Sequence, residues 1–143
     1  MTVPVFSADI FTVPVRVYIE DTDAGGIVYY VNYLKYMERC RTEFLRALGY
    51  DKPAILDDGK LLVVHRAEVD YMCPARLDDQ LQVSATIVKM ARTYVVFEQK
   101  IATGNKLLCA GLIRIACVTA ETMRPAAIPA AMREKIATTL IAD

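Results

Sequence analysis

A single histidine, His65, supplies all the imidazole in this chain of 143 residues. That excludes a multi-histidine metal site, and a serine or cysteine nucleophile partnered by histidine would have to recruit that one residue. Glycine-rich phosphate loops of the GxGxxG or Walker kind are absent, and so are the GxSxG elbow and the zinc-binding HExxH. An excess of one charge is also missing: seventeen Lys and Arg balance seventeen Asp and Glu. With no basic stripe and no interleaved aromatics, nucleic acid is excluded as a partner, while a local basic spot for a small phosphorylated ligand stays open.

None of the four cysteines, Cys40, Cys73, Cys109 and Cys117, belongs to a CxxC pair, and each sits in an apolar pattern. Free buried thiols are the expectation, not a disulfide framework. The opening MTVPVFSADIFTVPV carries two prolines and no basic side chain, so it does not read as a secretion signal. No apolar run reaches the ~18 residues of a membrane span. These readings predict a cytoplasmic chain without stable membrane insertion.

What is present is a high apolar share, 55% of residues. It suits one globular unit over 1–143 with a real core, some of its apolar surface covered by a second copy. Residues 12–19 alternate around Val13, Val15, Val17 and Ile19, as a strand does. A polar, glycine-containing stretch follows. Tyr33, Met37, Cys40, Phe44 and Leu48 then recur at spacings of three and four, which predicts a helix of four to five turns. Asn32 is placed to cap its start, and Gly49 its end.

Residues 50–60, with Pro53, Gly59 and two adjacent aspartates, read as a loop with room for one short turn of helix, after which the period switches to two. Leu61, Val63, His65, Ala67, Val69, Tyr71 and Cys73 would share one strand face, with Arg66, Glu68 and Asp70 on the other. A turn over Pro74–Asp79 leads to strands at 80–90, 93–103 and 107–119, with GNK at 104–106 as a hairpin turn. The last strand is apolar on nearly both faces, as if buried on both sides or laid against a partner. Residues 130–141 fit a short helix with Met132, Ile136 and Leu140 in line. The order predicts an α+β fold, an antiparallel sheet wrapped around one long central helix.

The chemistry concentrates in EDTDAGGIVYYVNY, residues 20–33. Three carboxylates crowd a glycine-containing loop directly before a helix. Asp21 and Asp23 could simply bond the loop's own backbone. Yet free N–H groups at a helix start favour an oxygen gaining negative charge, and a carboxylate facing the same spot completes an acyl-transfer site without histidine.

The run VRVYIEDTDAGGIVYYVNYLKYMERCRTEFLR, with its DxDxxGxVxxxNY pattern, resembles the amino-terminal signature of hotdog-fold acyl-CoA thioesterases. VDYMCPARLDDQL and ARTYVVFEQKI fit the same group, so the likeness spans about Val13 to Val118. It is nearest to the Tol–Pal-associated acyl-CoA thioesterases and is also similar to 4-hydroxybenzoyl-CoA thioesterase.

The resemblance implies a catalytic carboxylate at Asp23 and an oxyanion-binding backbone N–H at Tyr30. It implies a coenzyme A subsite along a subunit interface, with Val64, His65 and Arg66 beside the pantetheine arm. Arg92 and Thr93, and more weakly Lys89, fall near the nucleotide end, although Arg92 and Thr93 read equally well as an ordinary polar turn. It further implies a homodimer or homotetramer, an acyl-CoA substrate and no separate cofactor or metal, coenzyme A being part of the substrate. Tol–Pal-associated relatives usually carry histidine where this sequence has Tyr30; the hydroxybenzoyl-CoA type can carry tyrosine. Two other readings remain: a hydratase or dehydratase of the same fold using His65, and a non-catalytic acyl-CoA or acyl-carrier binding protein.

Overall fold

The computed structural model describes residues 10–52 and 54–140; residues 1–9, Pro53, the Leu140 side chain and the residues after it lie outside that range. Strand β1 (Phe11–Arg16) is followed by a 3-10 turn (Ile19–Asp21), helix α1 (Val31–Ala47) and a second 3-10 turn (Asp57–Gly59). Then come β2 (Lys60–Tyr71), β3 (Gln80–Met90), β4 (Tyr94–Thr103), β5 (Lys106–Thr119) and helix α2 (Ala130–Leu140). The five strands form one sheet in the order β1-β3-β4-β5-β2, every neighbouring pair antiparallel.

The sheet wraps α1, which buries Tyr33, Tyr36, Met37, Cys40, Phe44 and Leu45. That stripe is wider than the narrow row expected, and Leu48 at its end is only half-buried. Phe44 anchors the packing edge-on between Phe11 of β1 (5.6 Å) and Phe97 of β4 (5.4 Å), a geometry the ring quadrupole favours. The helix ends where expected. Gly49, at φ 105°, donates to the Arg46 carbonyl, and Tyr50 donates to Leu45, the paired bonds of a Schellman cap. Met132 and Ile136 of α2 are buried, and the Ile128 N–H bonds the Arg92 carbonyl at 2.9 Å, fastening the tail over the β3–β4 turn.

Four expectations need correction. Asn32 is not the helix cap: the cap is Tyr30, two residues earlier, and the Asn32 side chain instead donates to the Asp21 carbonyl at 2.8 Å. The first strand stops at Arg16, and Ile19 lies 76% exposed in the 3-10 turn. The segment 72–79 does not fold β3 back on β2, because β2 pairs with β5 and sits at the sheet edge.

The fourth correction concerns the faces of β2. Its register with β5 shifts between Val64 and Arg66, leaving His65 as the extra residue of a β-bulge. Before the bulge Leu62 and Val64 sit opposite Cys117 and Ile115; beyond it Ala67, Val69 and Tyr71 sit opposite Ile113, Gly111 and Cys109. The single apolar face read from Leu61 to Cys73 is therefore two half-strands in different phase. On β5, the inward residues are buried, while Leu112 on the outer face is 42% exposed.

Candidate active site

Residues 21–29 form a tight hairpin. Thr22 bridges Val28, the Asp23 N–H donates to the Ile27 carbonyl at 3.0 Å, and Gly26, at φ 77°, closes the turn. Gly26 adopts a left-handed backbone that a β-branched side chain would resist. The hairpin is held from outside by residues 75–77: the Val28 N–H bonds the Ala75 carbonyl, and the Leu77 N–H bonds the Gly26 carbonyl. Its base is held by Asp21, whose carbonyl accepts from both the Tyr29 N–H and the Asn32 amide. The Asp21 carboxylate is spent locally, accepting from the Tyr18 N–H at 2.9 Å.

Asp23 differs from Asp21. One carboxylate oxygen, Oδ1, accepts the Gly25 N–H at 2.9 Å, an Asx turn that fixes the side chain. The residue is exposed and takes part in no ion pair among the described residues. It lines neither the cavity under α1 nor the groove beside β1. Tyr30, seven positions on, stands at the helix start with helical backbone angles. Among the described residues neither the Tyr30 nor the Val31 N–H meets an acceptor, which leaves two donors at the positive end of α1.

Tyrosines surround this end. The Tyr30 ring lies 5.1 Å from Tyr29 and 5.9 Å from Tyr71, and Tyr71 lies 5.5 Å from Tyr33. Burial pushes the Tyr71 and Tyr33 phenols above their ordinary pKa, keeping both neutral donors at physiological pH. Tyr36 is pushed up further by burial and by the nearby Asp21 charge, although its hydroxyl finds no hydrogen-bond geometry among the described residues.

The other expected site residues lie elsewhere. Val64, His65 and Arg66 are exposed on the free edge of β2, and Arg66 is engaged with Glu68 at 2.6 Å. Arg92 is exposed on the β3–β4 turn and Thr93 half-buried beside it; their carbonyls accept from Ile128 and Cys117. Through the ladder Val64, Ile115 and Val95 form one row across the sheet, while Tyr71, Cys109 and Ile101 form another. Strand rise separates the two rows by roughly 20 Å. Within one chain, then, Asp23 and Tyr30 occupy one end of the sheet, and the residues expected along coenzyme A the other.

Two features escaped the sequence reading. Arg114 places its guanidinium 4.1 Å from the Tyr94 ring, with the Lys89 ammonium 5.5 Å away, so Lys89 belongs to a basic cluster on the outer face. The signal was one charge inside the otherwise apolar LLCAGLIRIACV. The second is Arg41, a half-buried cation on α1 itself, four residues after Met37 and three before Phe44 at the edge of the apolar stripe.

An antiparallel sheet curved around one long helix, with its carboxylate-bearing hairpin at the helix start, is the hotdog architecture. The Thioesterase-like superfamily matches residues 17–136, and the chain belongs to that superfamily. It is 42% identical over 121 residues to the acyl-CoA thioester hydrolase YbgC of Escherichia coli O6:H1, covering 84% of this chain and 90% of that one. To the acyl-CoA thioesterase YbgC of Haemophilus influenzae it is 40% identical over 120 residues, or 83% and 88% of the two lengths. The crystal structure of a 1,4-dihydroxy-2-naphthoyl-CoA thioesterase from Synechocystis shares the fold at a TM-score of 0.82 and 24% identity, over 90% and 96% of the chains.

Proposed function

We propose that the chain hydrolyses acyl-CoA thioesters to a free acid and coenzyme A, with Asp23 as the acting carboxylate and the Tyr30 N–H as oxyanion donor. Thioester hydrolysis follows from superfamily membership and from curated thioesterase relatives at 40% identity or more over most of both lengths. The residue roles rest on one observation: an Asx-fixed carboxylate, unpaired among the described residues, on the hairpin leading into a helix whose first N–H groups lack acceptors there.

In this reading Asp23 attacks the carbonyl carbon, or draws a proton from an attacking water, while the helix-start N–H steadies the oxygen as it becomes negative. Thiolate leaves from the tetrahedral centre and takes a proton. In this reading coenzyme A is part of the substrate, and the step calls for no separate cofactor. The four free cysteines favour a reducing compartment such as the cytoplasm.

The separation of the two residue groups supports a homodimer. β2 is twelve residues long; residues 54–56 bond its first residues, Lys60–Leu62, and beyond them its outer edge is unpaired among the described residues. Antiparallel pairing of two such edges about a two-fold axis would lay Val64, His65 and Arg66 of the partner subunit beside Tyr71, Tyr30 and Asp23. The same pairing would bring His65 of the partner subunit toward the carboxylate, which keeps the hydratase reading open.

One assay separates these readings. Thiol release from a panel of short, long and aromatic acyl-CoAs should be lost by at least about 10²-fold in Asp23→Asn, whose amide oxygen can keep the bond to Gly25. Near-normal release in that variant removes Asp23 from its role. Hydration of an enoyl-CoA without thiol release establishes the hydratase instead.

A further inference from the structure

Beneath the carboxyl-terminal half of α1 lies an apolar cavity of about 130 Å³, walled by Leu62, Val64, Phe97, Ile115 and Met132. Cavities of about 150 Å³ take a benzene molecule, so this one suits a short acyl group. One half-buried cation shares the wall, Arg41. Its Nη1 donates to Oε1 of Gln99 at 2.9 Å. Gln99 is wholly buried and is itself held by donating to the carbonyls of Met37 (2.9 Å) and Ser84 (3.3 Å). The guanidinium is thus clamped in place.

It is also under-used. A guanidinium has five N–H donors, and the bond to Gln99 is the only one it makes among the described residues. It forms no ion pair there either. Glu38, one turn earlier on the same wall, is exposed to water and beyond ion-pair reach. Burial holds the Arg41 pKa below its ordinary value, and the Glu38 charge offsets only part of that shift. Spare donors on a fixed cation at an apolar wall are suited to an anionic group that brings both charge and acceptors.

We infer that this cavity is the acyl subsite, and that Arg41 selects short acyl groups ending in a carboxylate, that is, dicarboxylic acyl-CoA thioesters. The inference rests on the thioesterase reading above and names its substrate class. Val64 is both a wall of the cavity and 57% exposed on the β2 edge, so the mouth opens where the partner's Asp23 would stand. The thioester then sits at the mouth, and the far carboxylate reaches the guanidinium fork.

The test compares kcat/KM for succinyl-CoA with 4-methylpentanoyl-CoA, and for glutaryl-CoA with 5-methylhexanoyl-CoA. In each pair an isopropyl end replaces the carboxylate at similar size. The full-length wild-type chain should favour the carboxylate member by at least about ten-fold, the order expected when a polar site rejects an analogue lacking its partner group. Arg41→Met should abolish that ratio, and Arg41→Lys, which keeps the charge but loses the fork, should restore part of it. Equal or reversed preference in the wild-type chain overturns the inference even if no variant folds, while other acyl-CoAs still being cleaved leaves the thioesterase reading intact. A ratio unchanged in Arg41→Met overturns Arg41 as selector. Failure of the wild-type chain to release thiol from any acyl-CoA overturns both.

Discussion

The Tyr33 hydroxyl accepts the Ala75 N–H at 2.8 Å, joining the first turn of α1 to the segment that supports the Asp23 hairpin. Ala75 is buried and its carbonyl takes the Val28 N–H, so one bond from the helix steadies both sides of the candidate site. Tyr33→Phe would leave a buried N–H without an acceptor. Its expected cost is about 1–3 kcal/mol, read as a lowered urea midpoint at unchanged slope. A shift equivalent to less than about 0.5 kcal/mol would show that the segment is held by its other bonds.

Gln99 is the second buried polar joint. Replacing it with Met keeps the volume but removes a donor from the Met37 and Ser84 carbonyls and the one acceptor of the Arg41 guanidinium among the described residues. We expect a loss of at least about 2 kcal/mol by urea unfolding, more than a surface Gln→Met change produces.

Gly49 holds the Schellman turn at φ 105°. Gly49→Ala should cost about 1–2 kcal/mol through backbone strain alone, with far-ultraviolet circular dichroism unchanged. The space around it is not the obstacle, since an added Cβ would meet only the Lys135 Nζ, at 3.4 Å.

Alkaline pH should destabilise the fold through its thiols. Burial pushes Cys40 and Cys109 from an ordinary 9.0 to about 12. Because the folded values lie above the unfolded ones, the stabilisation is complete below pH 9 and is lost as pH rises from 9 towards 12. Each thiol then contributes a slope of up to about 1.4 kcal/mol per pH unit. Urea unfolding between pH 8.5 and 11 should show this decline, and Cys40→Ala should flatten it relative to the wild-type slope. At pH 8 both thiols should resist iodoacetamide in the native protein and react after unfolding, as followed by mass spectrometry.

Much of this was legible from residue order. Strand β3 falls at 80–90 as read, because Leu81, Val83, Ala85 and Ile87 alternate cleanly between turn residues. Asp23 stood out through its place in a glycine-containing loop before an amphipathic helix. The bulge at His65 did not, because Leu61, Leu62, Val63 and Val64 are all apolar and fit either phase of a strand. Nor could chain order reveal that β2 leaves its sequence neighbour β3 for β5, a choice made by how the sheet closes around α1. Arg41 was hidden for a similar reason: its partner Gln99 lies 58 positions away.

The irregular rim of β2 has one more effect. A smooth twelve-residue border of bare amides would invite sheet after sheet to add on, the first step towards fibres. The step at His65 spoils that flat template, so a mate must match the kink as well as the ladder. Growth can then halt at a closed pair, and a chain this rich in apolar residues keeps an unsealed border without becoming sticky along its whole length.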